Sequence, residues 1–333
     1  MTERGRFFLL MALLTGLVVV LFVASLLIGP AGLGISASLS ALFAADGDVV
    51  AIVMQEIRLP RAILGAAIGA TLGLSGAAMQ GYLRNPLAEP GLLGVSASAS
   101  LGAVMAIYTG LSSAFPLALP LMALGGALVA VVFVRLLAGQ SATPISLILA
   151  GVAVSSLAGA LTSLVLNLSP NPFAALEIVF WMLGSLKDRS MTHVWLSLPF
   201  MVVGWIMLAQ VARALDALTL GEATAASLGF KLSRVQALVV LGTAASVGAA
   251  TAVAGAIGFI GLIVPHVLRP LVGSHPSRLL GASALGGAAV LLAADIAVRV
   301  IAPERDLKLG VLTALVGAPF FLWLIFKTRR EMI

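Results

Sequence analysis

The stretch AGAIGFIGLIVPHVLRPLVGSHPSR, residues 254–278, interrupts an apolar chain with glycines, prolines, His266 and Arg269. It completes an apolar run over residues 235–272, which is much longer than the roughly 20 residues that one membrane crossing requires. The run must therefore fold back on itself, and Gly255 and Gly258 are the predicted break. A short helix follows the break and carries His266 and Arg269 near its far end.

The composition defines the class of protein. Of the 333 residues, 61% are hydrophobic and 10% are charged, and the mean hydropathy is +1.15. These values indicate a multi-span integral membrane protein. The absence of cysteine excludes disulfides, thiolate metal sites and iron–sulfur clusters. The net charge of +6 does not indicate nucleic-acid binding, because Lys and Arg are scattered between apolar segments instead of clustered in one patch.

Charges, prolines and glycine clusters divide the chain into ten predicted spans. We expect an all-α integral membrane protein that forms one transmembrane domain over residues 1–333. The apolar N-terminus is predicted to be a retained first helix, because it is longer than the apolar region of a signal peptide. The predicted spans are 7–29, 61–81, 91–110, 116–134, 144–166, 193–212, 235–253, 255–272, 279–300 and 310–327.

Basic residues in short loops favour the cytoplasmic side, and both ends of the chain are basic. We therefore expect an even number of spans with both termini in the cytoplasm. This orientation leaves an unexplained group of arginines outside, among them Arg58, Arg61 and Arg299.

Glycines recur every fourth residue in the second span, at Gly65, Gly69 and Gly73. Such a stripe favours close helix packing. The alternative is that the same smooth surface lines a pathway and slides during gating.

No phosphate-binding loop of the G-x-x-x-x-G-K-[ST] type occurs, so any dependence on ATP must come from a partner. An ion-coupled carrier would place ionisable groups near the bilayer midplane, where only Asp295 qualifies. Asp295 lies four residues before Arg299, a spacing that favours a local ion pair over a proton relay.

The long loop over residues 213–234 is predicted to hold short helices outside the membrane. Its apolar positions, Ala223, Ala226 and Leu228, suggest a docking face for a cytoplasmic partner.

Five segments together resemble the FecCD-type permeases of ABC importers for iron chelates, haem and cobalamin. They are RLPRAILGAAIGATLGLSGAAMQGYLRNPLAEPGLLGVSA from Arg58, GEATAASLG from Gly221, GFIGLIVPHVLR from Gly258, ADIAVR from Ala294 and LGVLTALVGAPFFLWLI from Leu309. The resemblance runs from about residue 50 to the C-terminus. It implies a permease in the bacterial inner membrane, without a catalytic site, built from two copies of a ten-helix subunit.

The resemblance also implies partners and residue roles. Two cytoplasmic ATPase subunits would hold ATP and magnesium, the chain itself would bind no cofactor, and a substrate-binding protein would dock from the periplasm. Arg58, Arg61 and Arg299 match arginines that meet the binding protein, and His266 and Arg269 would support the coupling region. The outer part of the fifth span and the segment after it would help to close the pathway. The residues matching the ATPase-coupling helices are Gly221, Glu222, Ala223, Ala225, Ala226, Leu228 and Gly229.

The substrate stays open at this stage. An iron chelate, either a ferric siderophore or haem, is the leading expectation, cobalamin is the alternative within the family, and an ion-coupled secondary transporter is the alternative of another class. His193 could ligate haem iron, but a lone histidine at a helix end favours a capping or interfacial role.

Overall fold

The computed structural model of the chain describes residues 2–29, 34–44, 48–139, 143–169, 171–301 and 306–331. Within these ranges the regular elements are all helical. The helices are α1 (Glu3–Leu27), α2 (Ile35–Ala41), α3 (Val49–Ile52), α4 (Leu59–Leu83), α5 (Val95–Tyr108), α6 (Leu111–Ala114), α7 (Ala118–Ala138), α8 (Pro144–Asn167), α9 (Pro172–Met182), α10 (Met191–Gln210), α11 (Ala212–Leu218), α12 (Glu222–Ser227), α13 (Leu232–Ala254), α14 (Ile260–Leu268), α15 (Pro276–Ile301) and α16 (Leu309–Glu331). A π-helical turn, Val53–Arg58, joins α3 to α4, and 3₁₀ turns occupy Pro90–Leu93 and Arg269–Val272.

The expected all-α membrane architecture is confirmed. Eight helical segments in the described ranges are long and apolar enough to cross a membrane, and they contain α1, α4, α7, α8, α10, α13, α15 and α16. The other two predicted spans, 91–110 and 255–272, form the shorter apolar helices α5 and α14, each extended by a 3₁₀ turn. Large apolar side chains such as Phe8 and Leu13 on α1 are more than half exposed, as expected where a helix contacts lipid.

The predicted break after α13 is confirmed. α13 ends at Ala254, and the next helix begins at Ile260. Gly255 has a φ of +73°, and a Cβ on it would overlap the carbonyl oxygen of Trp181, so this position requires glycine. The Ala254 carbonyl accepts a hydrogen bond of 2.7 Å from the Ser185 N–H. The end of α13 is thereby joined to the segment that follows α9.

Among the described helices, α4 and α15 make the most extensive contact. A Cβ on Gly69 would lie 2.8 Å from the Ala288 Cα, and one on Gly73 would overlap a carbonyl oxygen of α15. Gly65 differs, because a Cβ there would meet only the side chain of Leu292, at 3.2 Å. Two of the three stripe glycines thus lie in backbone contact with the neighbouring helix, as close packing requires.

The second predicted span begins too late. Helical structure starts at Val49 and continues through the π turn into α4, so Arg58 lies within a helix and Arg61, the first residue of the predicted span, lies in the first turn of α4. The predicted boundary is wrong because Arg58 and Arg61 do not end the helical segment: both guanidinium groups have partners inside the bundle.

Helix α9 was also absent from the predicted spans. Its N-cap is Asn171, whose side chain accepts a hydrogen bond from the Ala174 N–H, and Pro172 occupies the first helical position. These two residues are a helix start signal that the sequence contained.

Candidate functional site

Helices α11 and α12 lie at one end of the bundle, which we call the α12 face. α12 is flanked by Gly221 with φ +102° and Gly229 with φ +89°, so both ends reverse the chain in conformations that glycine adopts readily. Glu222, Ala223 and Ala226 are exposed, as is Leu228 at 61%. This apolar and small-residue surface is available for contact with another protein.

Ala225 occupies a different position from the other residues predicted for coupling. It is 0% exposed and belongs to the core cluster, so it anchors α12 to the bundle and does not face outward. A second attachment of α12 is an ion pair of 3.1 Å between Arg84, which ends α4, and Glu222. Both side chains are nearly half exposed, so this ion pair orients α12 but contributes little to the stability of the fold.

The carboxylate of Glu89 lies in the connection between α4 and α5, near the start of α14. Burial raises the pKa of Glu89 above its usual value, although the Phe259 N–H opposes this shift by hydrogen bonding to the carboxylate. The same connection therefore carries both Arg84, which pairs with Glu222, and the partly buried carboxylate of Glu89.

Helix α14 is held to α4 by Gln80, a residue that the sequence reasoning missed. Pro265 has no N–H, so it cannot donate to the carbonyl of Gly261 one turn earlier. The Gln80 side-chain amide lies 3.4 Å from that carbonyl and 3.2 Å from the next one, Leu262. Arg269 donates to the Gln80 Oε1 at 2.7 Å, so this buried amide is satisfied at both ends. A lone glutamine in an apolar span was the available signal.

His266 and Arg269, predicted to support the coupling region, therefore lie in different surroundings. Arg269 contacts α4 through Gln80, whereas the His266 ring packs edge-on against Phe320 of α16, with ring centroids 6.0 Å apart. Their role in coupling stays a prediction.

The opposite end of the bundle, which we call the Asp295 face, carries the three arginines assigned to docking. Asp295 is 1% exposed and accepts from Arg61 at 2.8 Å, while Arg299 lies 3.0 Å from its second oxygen. The predicted local ion pair between Asp295 and Arg299 is thus confirmed. Arg61 is an additional partner that helical spacing did not reveal.

Two of these arginines, Arg58 and Arg299, also cap the end of α1. Arg58 donates to the carbonyls of Leu26 and Leu27 at 2.9 and 3.0 Å. Arg299 donates to the Ser25 and Ile28 carbonyls at 2.9 and 2.7 Å. The last carbonyls of a helix have no partner within it, and here two guanidinium groups supply one. Arg58 is only 4% exposed, so its charge points into the bundle.

A charged cavity of about 430 Å³ lies beside α9. Lys187 and Lys308 reach it, and both pair with Asp306, at 3.6 and 2.6 Å. The hydrogen bond from Lys308 lowers the pKa of Asp306. Burial of Arg189, another lining residue, lowers its pKa, while the charge of Asp188 opposes that shift.

A second cavity, of about 610 Å³, is almost entirely apolar. It lies between the segment after α9, the break before α14 and one face of α16. Leu183, Phe259 and Leu315 line it, and Leu315 is 66% exposed. None of its lining residues carries an ionisable side chain.

His193 performs the capping role that was preferred over haem ligation. Its Nδ1 lies 3.1 Å from the Ser190 hydroxyl and 3.3 Å from the Ser190 N–H, which closes the first turn of α10. Within the described ranges there is no group of three or more His, Asp or Glu residues that could hold a metal ion.

Comparison with known proteins shows the family of this chain. Residues 17–327 match the model of the FecCD transport family. The chain is 42% identical over 281 residues to the cobalamin import system permease protein BtuC of Halobacterium salinarum, covering 84% of this chain and 74% of that protein. It is 38% identical over 278 residues to the Fe(3+) dicitrate transport system permease protein FecD of Escherichia coli, covering 83% and 86%.

A solved structure has the same fold. An ABC transporter in an inward-facing conformation, described as metal-chelate type, superposes with a TM-score of 0.84 at 32% identity, covering 95% of this chain and 98% of that one. The family match spans more than half of the chain, and the relatives exceed 30% identity over most of their length. The chain is therefore a multi-pass membrane permease that belongs to the FecCD transport family.

Proposed function

We propose that this chain imports an iron chelate as the permease subunit of an ABC importer, with two copies of the chain, two ATPase subunits and a substrate-binding protein in one assembly. The observation that carries the proposal is the exposed surface of α12, held in place by buried Ala225 and presented between two glycine turns. The described part of the chain offers no nucleotide-binding loop, so a separate ATPase would supply the energy through this surface. ATP and magnesium would bind there and not to the permease.

In this assembly the α12 face is cytoplasmic, as are both termini, and the Asp295 face is periplasmic. The basic residues near the α12 face, such as Arg84 and Arg234, support this orientation. Attachment of a reporter domain to the C-terminus tests it. Activity of a reporter that functions only in the periplasm would overturn the assignment.

The second copy covers the apolar cavity beside α16. Exposed Leu315, Val316 and Trp323 line one side of that helix, where contact with a second copy would bury them. Because the chain has no native cysteine, Leu315→Cys gives a single crosslinking site. A crosslinked dimer in native membranes supports this interface, and Leu128→Cys on α7, which is equally exposed at 66%, is the control.

The substrate assignment rests on relatives whose names specify ferric dicitrate and cobalamin. The decisive measurement is uptake by liposomes that contain the permease, its ATPase and its binding protein, supplied with either ⁵⁵Fe-chelate or radiolabelled cobalamin. ATP-dependent accumulation of the iron chelate is the expected result. Accumulation of cobalamin alone would establish the second candidate, which the 42% identity to a cobalamin permease favours.

The same liposomes separate an ABC importer from an ion-driven carrier. Uptake should require enclosed ATP and should not be driven by a proton or sodium gradient. Uptake that follows the gradient without ATP would overturn the proposed function.

The docking role proposed for Arg58, Arg61 and Arg299 needs a test that accounts for their internal contacts. Replacement of all three by Glu would place carboxylates beside Asp295 and the α1 carbonyls, so it would disturb the fold as well as docking. The comparison of Arg299→Lys with Arg299→Gln separates these effects. Both changes lose the multiple hydrogen bonds of the guanidinium, but only the second loses its charge. A lower affinity for the binding protein in Arg299→Gln than in Arg299→Lys supports the docking role. The same affinity in both variants contradicts it.

A further inference from the structure

We propose that Asp216 is the positioning residue through which the α12 segment moves α15, so that α4 and α15 follow the ATPase as one unit. The proposal rests on the proposed function, and it identifies where the segment formed by α11 and α12 contacts the membrane-spanning helices. Asp216 would act through α15 and would touch neither the ATPase nor the substrate.

The first observation is that α15 takes an N-terminal cap from another helix. Its own preceding residue is His275, which is not among the residues that usually cap helices. Instead, the Ser277 N–H donates to the Asp216 Oδ1 at 2.9 Å, across 61 residues of sequence. The carboxylate also lies where the positive end of the helix dipole favours a negative charge. The α15 terminus is therefore fixed to α11.

The second observation is that α11 fits between the α12-face ends of α4 and α15. Leu215 and Leu218 are 0% and 2% exposed. A Cβ on Gly81 of α4 would lie 3.4 Å from Leu215, which is ordinary van der Waals contact. α11 thus contacts α4 through an apolar side chain and α15 through a hydrogen bond. A displacement of α11 would therefore displace the ends of both helices.

The third observation concerns the short connection from α11 to α12. Three successive N–H groups each donate to the carbonyl three residues earlier. The pairs are Thr219 to Asp216 at 3.2 Å, Leu220 to Ala217 at 3.1 Å and Gly221 to Leu218 at 3.1 Å. The Thr219 hydroxyl donates to the Asp216 carbonyl at 2.7 Å. A connection with this many internal hydrogen bonds has little freedom, so α11 and α12 move together.

At the other end, α15 is joined to α4 by Asp295, which pairs with Arg61. Between the ends, the two helix backbones are in contact at Gly69 and Gly73. The 26 residues of α15 extend about 39 Å at 1.5 Å per residue. A shift imposed at Ser277 would therefore reach the Asp295 face without an intervening flexible segment.

A purely structural cap would have different consequences from a positioning residue. Loss of a structural cap lowers stability and the amount of assembled protein, with activity per assembled complex unchanged. Loss of a positioning contact leaves the ATPase bound and lowers the response of hydrolysis to the binding protein. Asp48 provides a matched control, because its side chain caps α3 by accepting from the Val49 N–H at 2.7 Å, far from the α12 face.

The experiment uses the full complex in liposomes, with Asp216→Ala, Asp216→Asn and the control Asp48→Ala. We measure copurification of the ATPase, basal hydrolysis, hydrolysis with binding protein, and uptake. In Asp216→Ala we expect normal copurification and basal hydrolysis, with stimulation by the binding protein reduced roughly fivefold or more. Asp216→Asn keeps an oxygen acceptor and should recover most of the stimulation, and Asp48→Ala should resemble wild type. Normal stimulation in Asp216→Ala would overturn the proposal.

A second test applies even if Asp216→Ala fails to assemble. Since the chain has no native cysteine, Asp216→Cys with Ser277→Cys can be joined by a short thiol-reactive linker. If the contact between α11 and the start of α15 stays closed throughout the transport cycle, linking the two cysteines should restore the stimulation of ATP hydrolysis by the binding protein that the unlinked double variant has lost. Linking that abolishes uptake would overturn the proposal, because this contact would then have to open in each cycle. Failure of wild-type permease to bind an ATPase would instead contradict the proposed function itself.

Discussion

The contact between α4 and α15 gives the most direct test of the fold. A Cβ on Gly69 would lie 2.8 Å from the Ala288 Cα. Non-bonded carbon atoms prefer separations of about 3.5–4.0 Å, so Gly69→Ala requires the two helices to separate by about 1 Å. Because the Cβ position is fixed by the backbone and its partner is a backbone atom, no side-chain rotation can relieve the contact.

Overpacking of this kind costs about 1–3 kcal/mol, and a larger residue costs more. Gly69→Ala should therefore lower the thermal stability of the purified permease, and Gly69→Leu should prevent normal assembly. Gly65→Ala provides a graded comparison, because its Cβ would lie 3.2 Å from the flexible end of Leu292 and should be tolerated better. Gly16→Ala is the neutral control, since nothing lies within 4 Å of that position in α1.

The assay is the melting temperature of detergent-solubilised protein, followed by size-exclusion chromatography with a fluorescent fusion. The expected order of stability is Gly16→Ala, then Gly65→Ala, then Gly69→Ala, with Gly69→Leu lowest. Equal stability of Gly69→Ala and Gly16→Ala would refute the reasoning, because it would show that the backbones are not in contact at Gly69.

Three further predictions concern the α12 face and its surroundings. Ala226→Arg should leave membrane insertion intact but reduce copurification of the ATPase or its stimulation by the binding protein, because it places a bulky charge in the proposed contact. Gln80→Leu should lower thermal stability by about 1–3 kcal/mol, since it leaves a buried carbonyl beside Pro265 without a donor, whereas the exposed Gln210→Leu should have little effect. For Glu89, whose pKa is raised by burial, the folded state takes up a proton more readily than the unfolded state. The penalty for burying its charge is present at neutral pH and disappears as the pH falls through the folded-state pKa, so melting curves measured between pH 7 and pH 5 should show less gain at low pH in Glu89→Gln than in wild type.

The sequence was sufficient to predict most of the spans and the break between α13 and α14, because length and apolarity decide both, but it placed the start of the second span too late. It was also sufficient for the ion pair between Asp295 and Arg299, which depends on spacing along one helix. α9 could have been found from the capping signal at Asn171 and Pro172. These are all local features.

The contacts between distant segments could not be predicted in this way. The sequence places Arg58 in a loop, because it gives no sign of the α1 carbonyls that this arginine caps. Those carbonyls lie 31 and 32 residues earlier. The same holds for Asp216, since nothing near it in the sequence indicates that Ser277 lacks a cap within its own helix. Side-chain hydrogen bonds to backbone atoms leave little trace in residue type, because every non-proline residue offers the same N–H and carbonyl groups.

The distance between Arg61 and Asp295 along the chain has a consequence for how the protein is made. The two residues are separated by 234 positions. At about 5–20 residues per second, a ribosome needs roughly 10–50 s to travel from one codon to the other. Until α15 is made, the Arg61 guanidinium lacks its Asp295 partner, and the last turn of α1 lacks the hydrogen bonds that Arg299 provides. Nascent chains truncated before α15 should therefore expose α1 and α4 to membrane quality-control proteases, and chains extended past Arg299 should become resistant.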